Sequence, residues 1–198
     1  MTTALIVIDV QNDFCPGGAL AVPEGDEIIP EINALMDDFD EIILTQDWHP
    51  AGHSSFASKH PGKAPFETVE MDYGTQVLWP DHCVQGSRGA AFHEGLDTTR
   101  AHLIIRKGMS LEIDSYSAFF ENDRATATGL DGYLQTRGIT RLVMVGLATD
   151  FCVQFSALDA AKLGYAVSVR RDLCRAIDLD GSLAEAEAAM RAAGVVLA

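Results

Sequence analysis

Basic residues are scarce in this chain: 14 Lys and Arg stand against 29 Asp and Glu in 198 residues, a formal net charge of −15. Such an acidic surface repels phosphate backbones and anionic lipid, which excludes general nucleic-acid and membrane-surface binding. No uninterrupted apolar run approaches the roughly 18 residues of a membrane span. The amino terminus has no basic lead and is interrupted by Asp9, so it fails as a secretory signal and a cytoplasmic location is expected. Cysteine is also sparse. Cys15, Cys83, Cys152 and Cys174 are widely spaced and form no C-x-x-C pair, which argues against zinc ribbons and thioredoxin-like chemistry and fits free thiols in a reducing compartment. Neither G-x-G-x-x-G nor G-K-[ST] occurs, so no organic cofactor is expected and the partner is a small molecule. Nothing here sets the oligomeric state, and assembly into a homo-oligomer is left open.

What is present is ample apolar material, 47% of the residues, in a repeating order. Short branched runs at 4–8, 41–45, 102–106 and 141–146, with weaker ones at 165–169 and 195–198, read as strands buried on both faces. Helical periodicity falls between several of them, at 26–38, 130–136, 150–163 and 182–193. Ser182 and Glu185 have capping-box spacing, and Gly164 and Gly194 stand where the last two helices should stop. Alternating strands and helices predict a three-layer α/β/α fold around a central, mostly parallel six-stranded sheet. One domain over 1–198 is expected, interrupted at about 48–100 by a Gly-, Pro- and His-rich insertion. That insertion is too long for an ordinary connection and, with Trp48, Phe56, Phe66, Tyr73, Trp79 and Phe92, too aromatic for a tether.

Ligands of an open parallel sheet sit beyond the carboxyl ends of its strands. Those ends here carry Asp9, Gln11, Asn12 and Asp13; then Asp47 and His49; then Lys107; then Thr149, Asp150 and Cys152. Singly, each has an ordinary structural reading: a turn aspartate, a surface lysine, a buried thiol. Together they form a set. Capping by Thr149 or Asp150 would place Cys152 in a helix's first turn, where the dipole and a nearby Lys107 would lower the thiol pKa. Asp9 could then take the thiol proton and pass it to a leaving group, which suits amide cleavage. Asp47 and His49, two apart on an extended end, can share a cation with His82; a mixed oxygen and nitrogen set suits Zn, Fe or Mn. His53 is a weaker candidate, and His60, His93 and His102 read as surface or supporting residues. Arg170, Arg171 and Asp172 read as a solvated strand end, and the chain beyond them has no catalytic signature.

At these residues the chain resembles bacterial nicotinamidases, also called pyrazinamidases, of the isochorismatase-like cysteine hydrolase superfamily. The likeness runs nearly end to end through ALIVIDVQNDFCPGGAL from Ala4, TQDWHPAGHSSFAS from Thr45, WPDHCVQGSRGAAFH from Trp79, RKGMSLEIDSYSAF from Arg106 and GLATDFCVQFSALDA from Gly146. The resemblance implies a Cys152 nucleophile, Asp9 as proton shuttle and Lys107 as third member of a triad. It implies one divalent metal on Asp47, His49 and His82, with His53 a ligand in some members only. It further implies a cis peptide at Leu147–Ala148, an oxyanion hole from the Ala148 and Cys152 N–H groups, and Phe14, Trp79 and Tyr116 around a flat pyridine ring. The implied reaction is deamidation of nicotinamide to nicotinate and ammonia through a thioester, with pyrazinamide as a further substrate. Two rival readings are a superfamily hydrolase for another small amide or an enol ether, and a metallohydrolase whose cation activates water; a third is a non-enzymatic binder.

Overall fold

The computed structural model describes residues 2–198. In chain order its strands are β1 (Thr2–Ile8), β2 (Ile42–Asp47), β3 (Thr68–Met71), β4 (Gly74–Val77), β5 (Leu103–Lys107), β6 (Ile139–Leu147), β7 (Ala166–Arg175) and β8 (Val196–Leu197). Its helices are α1 (Ile29–Leu35), α2 (Leu130–Thr136), α3 (Gln154–Lys162) and α4 (Ser182–Ala192). Six strands form one sheet in the order β5-β2-β1-β6-β7-β8. All of its pairings are parallel, more uniform than the mostly parallel sheet expected.

The sequence of β1 explains the layering. A parallel strand covered on both sides by helices needs apolar side chains at successive positions, because each face meets a separate core. Leu5 and Val7 join Ile29 and Ile32 of α1 on one side. Ala4, Ile6 and Ile8 join Leu130 and Leu134 of α2, Ala157 and Ala160 of α3 and Met190 of α4 on the other. Each such leucine or isoleucine stabilises the fold by about 1.5–3 kcal/mol relative to an exposed one. The chain leaves β1 for β2 on one side and later returns as β6 on the other. This reversal opens a crevice at the carboxyl ends of β1 and β6. Gly146 makes the close approach there possible: its φ is +115°, and a Cβ would lie 2.2 Å from the Ile8 carbonyl oxygen.

Several boundaries differ from those expected. Ahead of α3, Thr149–Val153 form a wider π-type turn, and neither Thr149 nor Asp150 caps it; Ala148 occupies that position with no side-chain bond. Asp150 instead turns its buried carboxylate toward the chain beyond β7. The capping box at α4 is not formed either: Gly181, at φ +91°, precedes the helix, and Ser182 donates its hydroxyl proton to Asp150. Strand β7 runs on to Arg175, so Arg170, Arg171 and Asp172 lie inside it. They are solvated as expected, with Arg170 paired to Asp172 and Arg171 to Glu187. The insertion contains the hairpin β3–β4, which the sequence pattern did not single out. Among the described residues, no helix is long and apolar enough to cross a membrane.

Candidate active site and metal centre

Neighbouring strands β5, β2 and β1 end in Lys107, Asp47 and, one residue past β1, Asp9, with Asp47 and Lys107 paired in register. Parallel register turns those two side chains to the same face. Lys107 is fully buried, with its Nζ 2.9 Å from Asp9 Oδ2, 3.0 Å from Asp47 Oδ1 and 3.5 Å from Cys152 Sγ. It also donates to the Ser115 carbonyl at 3.0 Å. The expected convergence of sulfur, ammonium and carboxylate is therefore present. Asp9 has φ +47°, a left-handed conformation that a short polar residue tolerates better than most. Its carboxylate accepts from the Thr45 hydroxyl at 2.5 Å while its N–H donates back to the same oxygen at 3.1 Å.

The electrostatics follow from burial and from the excess of carboxylates. Burial alone would drive Lys107 toward neutrality, but the carboxylates of Asp47 and Asp9 outweigh it and hold the ammonium well above its usual pKa. Burial pushes the Asp9 carboxyl up against the pull of Lys107. It also pushes the Cys152 thiol well above its ordinary range, with Lys107 opposing and the carboxylates of Asp9 and Asp47 adding. The expectation of a lowered thiol pKa is corrected accordingly. Cys152 lies in the π-type turn rather than in a helix's first turn, and its low-dielectric surroundings favour a neutral thiol.

The second cluster is built around Asp47 Oδ2, which lies 2.9 Å from His49 Nε2 and 3.4 Å from His82 Nε2. His49 Nδ1 bonds the Gly108 carbonyl at 2.9 Å and His82 Nδ1 the Pro80 carbonyl at 2.8 Å. A carbonyl can only accept, so each Nδ1 carries the proton in the neutral ring and each Nε2 presents a lone pair to the carboxylate. Buried His49 Nε2 has no hydrogen-bond partner. Lone pairs facing an anion call for a positive charge among them, and carbonyl-anchored imidazoles are the usual supports of metal ligands. The donor set fits a divalent metal. Gly108, at φ +65°, leaves room for the His49 ring, from which a Cβ there would stand 2.5 Å.

His53 lies beside this cluster, its ring 4.3 Å from that of His49. It groups with His49 and Asp114, and its Nδ1 and Nε2 bond Ser55 Oγ at 2.8 Å and the Ile113 carbonyl at 3.2 Å. His60 bonds the Ser54 carbonyl, His93 accepts from the Gly95 N–H and His102 accepts from the Ile42 N–H, the supporting roles expected of them. Gln11, in the sequence one polar strand-end residue among several, clamps the backbone of Asp47. Its Oε1 accepts the Asp47 N–H at 2.8 Å, and its Nε2 donates to the Asp47 carbonyl at 2.8 Å and the Ala90 carbonyl at 2.9 Å.

A cavity open to solvent connects the two clusters and is bordered by Phe14, Trp79, Tyr116, Ala148 and Cys152 together with Asp47 and His82. Trp79 donates its indole N–H to the Tyr116 hydroxyl at 3.1 Å and meets Phe151 edge-on at 4.9 Å, which fixes the aromatic walls. The Leu147–Ala148 peptide is cis. Leu20, Asp114, Phe151 and Ile177 also border the cavity and were not identified from sequence. Leu20 and Phe151 lie within the recognised motifs, whereas Ile177 lies in a stretch with no local signature.

The isochorismatase domain family model matches residues 3–198, and the chain belongs to that family. Within it, the likeness is to nicotinamidases. The nicotinamidase of Acinetobacter baylyi is 58% identical over 97% of this chain and 90% of its own length. A solved nicotinamidase/pyrazinamidase from Acinetobacter baumanii is 57% identical, with a TM-score of 0.98 over 99% of this chain and 95% of that one. PnC1 of L. infantum in complex with nicotinate is 43% identical, with a TM-score of 0.87 over 100% and 92% of the two chains. The pyrazinamidase of Pyrococcus horikoshii in complex with zinc is 36% identical, with a TM-score of 0.79 over 100% and 99%.

Proposed function

We propose that this chain is a metal-containing cysteine amidohydrolase that converts nicotinamide to nicotinate and ammonia and also accepts pyrazinamide. The observation that carries the reading is the contact of Lys107 with both Asp9 and Cys152 beside a cavity that Cys152 borders together with Asp47 and His82. The relatives named above, and the nicotinate complex among them, support it.

Cys152 Sγ attacks the carboxamide carbon while its proton passes to Asp9. The Ala148 and Cys152 N–H groups receive the developing oxyanion. Asp9 then protonates the amide nitrogen, the C–N bond breaks, and ammonia leaves a thioester on Cys152. Water adds to that thioester with Asp9 as base, and nicotinate departs as the thiol recovers its proton. Lys107 keeps its charge throughout, orienting Asp9 and limiting the cost of a second negative charge beside Asp47. Asp47, His49 and His82 would hold the cation, which when bound supplies a Lewis-acidic seat for the ring nitrogen; zinc, iron and manganese all suit these donors. Phe14, Trp79 and Tyr116 sandwich the ring and exclude water.

The test is ammonia release from the purified protein over an amide panel, with metal content measured on the same sample. Nicotinamide should be turned over. Benzamide, which keeps the scissile bond but lacks the ring nitrogen, should lose roughly 10–100-fold in kcat/KM, the scale of one lost interaction with a charged group. Equal turnover of both amides would remove the cation from substrate recognition, and no ammonia from nicotinamide would overturn the assignment.

A further inference from the structure

Beyond β7 the chain supplies one residue to the cavity, Ile177, from the stretch 176–181 that joins β7 to α4. This connection is a built loop. Asp178, Asp180 and Gly181 all have left-handed φ values, +54°, +52° and +91°. The buried Asp150 carboxylate accepts the Ile177 N–H at 3.1 Å, the Asp178 N–H at 2.7 Å and the Ser182 hydroxyl. Asp150 shares its turn with Cys152, so nucleophile and loop hang from one anchor. The half-buried Ile177 side chain packs against the core that contains Phe14, Leu20, Trp79 and Ala148.

We propose that Ile177, positioned by Asp150, is the specificity-determining residue that limits substituents on the ring edge opposite the carboxamide and the ring nitrogen. The inference rests on the nicotinamide reading above. In that ring the carboxamide and the nitrogen are meta to each other, and both are held by buried residues: Cys152 at one end, Asp47 and His82 at the other. The 2-position lies between them and faces the interior. The 5-position lies opposite, and among the half-buried lining residues Tyr116, Phe151 and Ile177 it is assigned to Ile177, the one that enters on a separate loop. A β-branched side chain has little rotamer freedom with which to yield, so it acts as a stop rather than a flexible flap.

Hydrolysis of nicotinamide, 5-methylnicotinamide and 2-methylnicotinamide by wild type, Ile177→Ala and Ile177→Val tests this. The 5-methyl to nicotinamide ratio of kcat/KM should rise at least fivefold in Ile177→Ala and by a smaller factor in Ile177→Val, while the 2-methyl ratio stays within twofold. Asp150→Asn should shift the 5-methyl ratio in the same direction and add nothing on top of Ile177→Ala, since the two act as one unit. A 5-methyl ratio that rises less than fivefold in Ile177→Ala, or a 2-methyl ratio that rises with it, would overturn the inference. Full additivity of the two substitutions would overturn the role of Asp150. Failure of the wild type to act on nicotinamide would overturn the functional reading and this inference with it; the other outcomes leave that reading intact.

Discussion

Lys107 and His82 stand a few ångströms either side of Asp47, yet they reach it by different routes. Lys107 arrives on a strand whose register with β2 places it beside Asp47, with the sheet's hydrogen bonds fixing both. His82 arrives on a loop of the insertion, held by the Pro80 carbonyl, by the Cys83 N–H on Asp13 Oδ2 at 2.7 Å and by the Cys83 carbonyl on the His49 N–H at 2.9 Å. Strand ends thus place Asp9, Asp47 and Lys107, whereas a loop places His82 and a turn places Cys152. A charge embedded in a sheet cannot be removed without exposing its partners, whereas a ligand on a loop is secured by individually replaceable hydrogen bonds.

The largest effect that would sharpen this contrast comes from Cys152→Ala. It should lower nicotinamide hydrolysis by about 10⁴-fold or more, as removal of a nucleophile does, with metal content and thermal unfolding close to wild type. Retained turnover would make the sulfur a bystander. Next is Lys107→Met, which leaves Asp9 and Asp47 buried without their counter-charge. Loss of one partner of a buried pair costs about 3–5 kcal/mol, so urea unfolding should shift strongly and activity should fall together with stability. A variant that is inactive but fully stable would show that the lysine serves chemistry alone.

On the loop-supported side, Gln11→Glu keeps the acceptor for the Asp47 N–H and replaces the donor to two carbonyls by a carboxylate oxygen. Supporting partners of metal ligands are worth roughly 10–100-fold in affinity. Titration of the metal-free protein with a divalent cation should therefore show weaker binding of that order, with KM rising more than kcat falls. The smallest effect concerns Glu121, whose carboxyl burial pushes up to about 7 and whose Oε2 has no hydrogen-bond partner. The folded state holds this proton after the unfolded chain, near its ordinary 4.5, has released it. Stability from this group is thus full below about pH 4.5 and declines as pH rises toward 7. Glu121→Gln should remove that decline and gain about 1–2 kcal/mol at pH 8 relative to pH 5, screening included, read from denaturant midpoints at both values. An identical pH slope in wild type and variant would place the titration elsewhere.

The strands were legible because a doubly covered parallel sheet leaves continuous branched runs, and the meeting of Asp9, Lys107 and Cys152 was legible because all three lie at or within a few residues of the ends of those runs. The candidate metal ligands were partly so: D-W-H-P is a local pattern, while His82 lies in the long insertion, where spacing makes it only a candidate. Three things were not. The π-type turn under Cys152 has no signature that separates it from the start of α3. Asp150 looks like a cap residue, and only the folded chain shows its carboxylate spent on a loop more than 25 positions later. Ile177 reaches the cavity through that same bond, so nothing adjacent to it in sequence marks it. Local chemistry is written locally, while the reach of a side chain across the fold is not.

The place of β1 at the middle of the sheet has a consequence for how the protein is made. Its neighbours are β2, which follows within about 40 residues, and β6, which begins at Ile139. During synthesis the first strand waits with one edge unpaired until most of the polypeptide has left the ribosome. Contacts so distant in sequence slow folding and prolong exposure of sticky edges. A nascent chain stalled before Ile139 would carry Asp47, His49 and His82 but not Cys152.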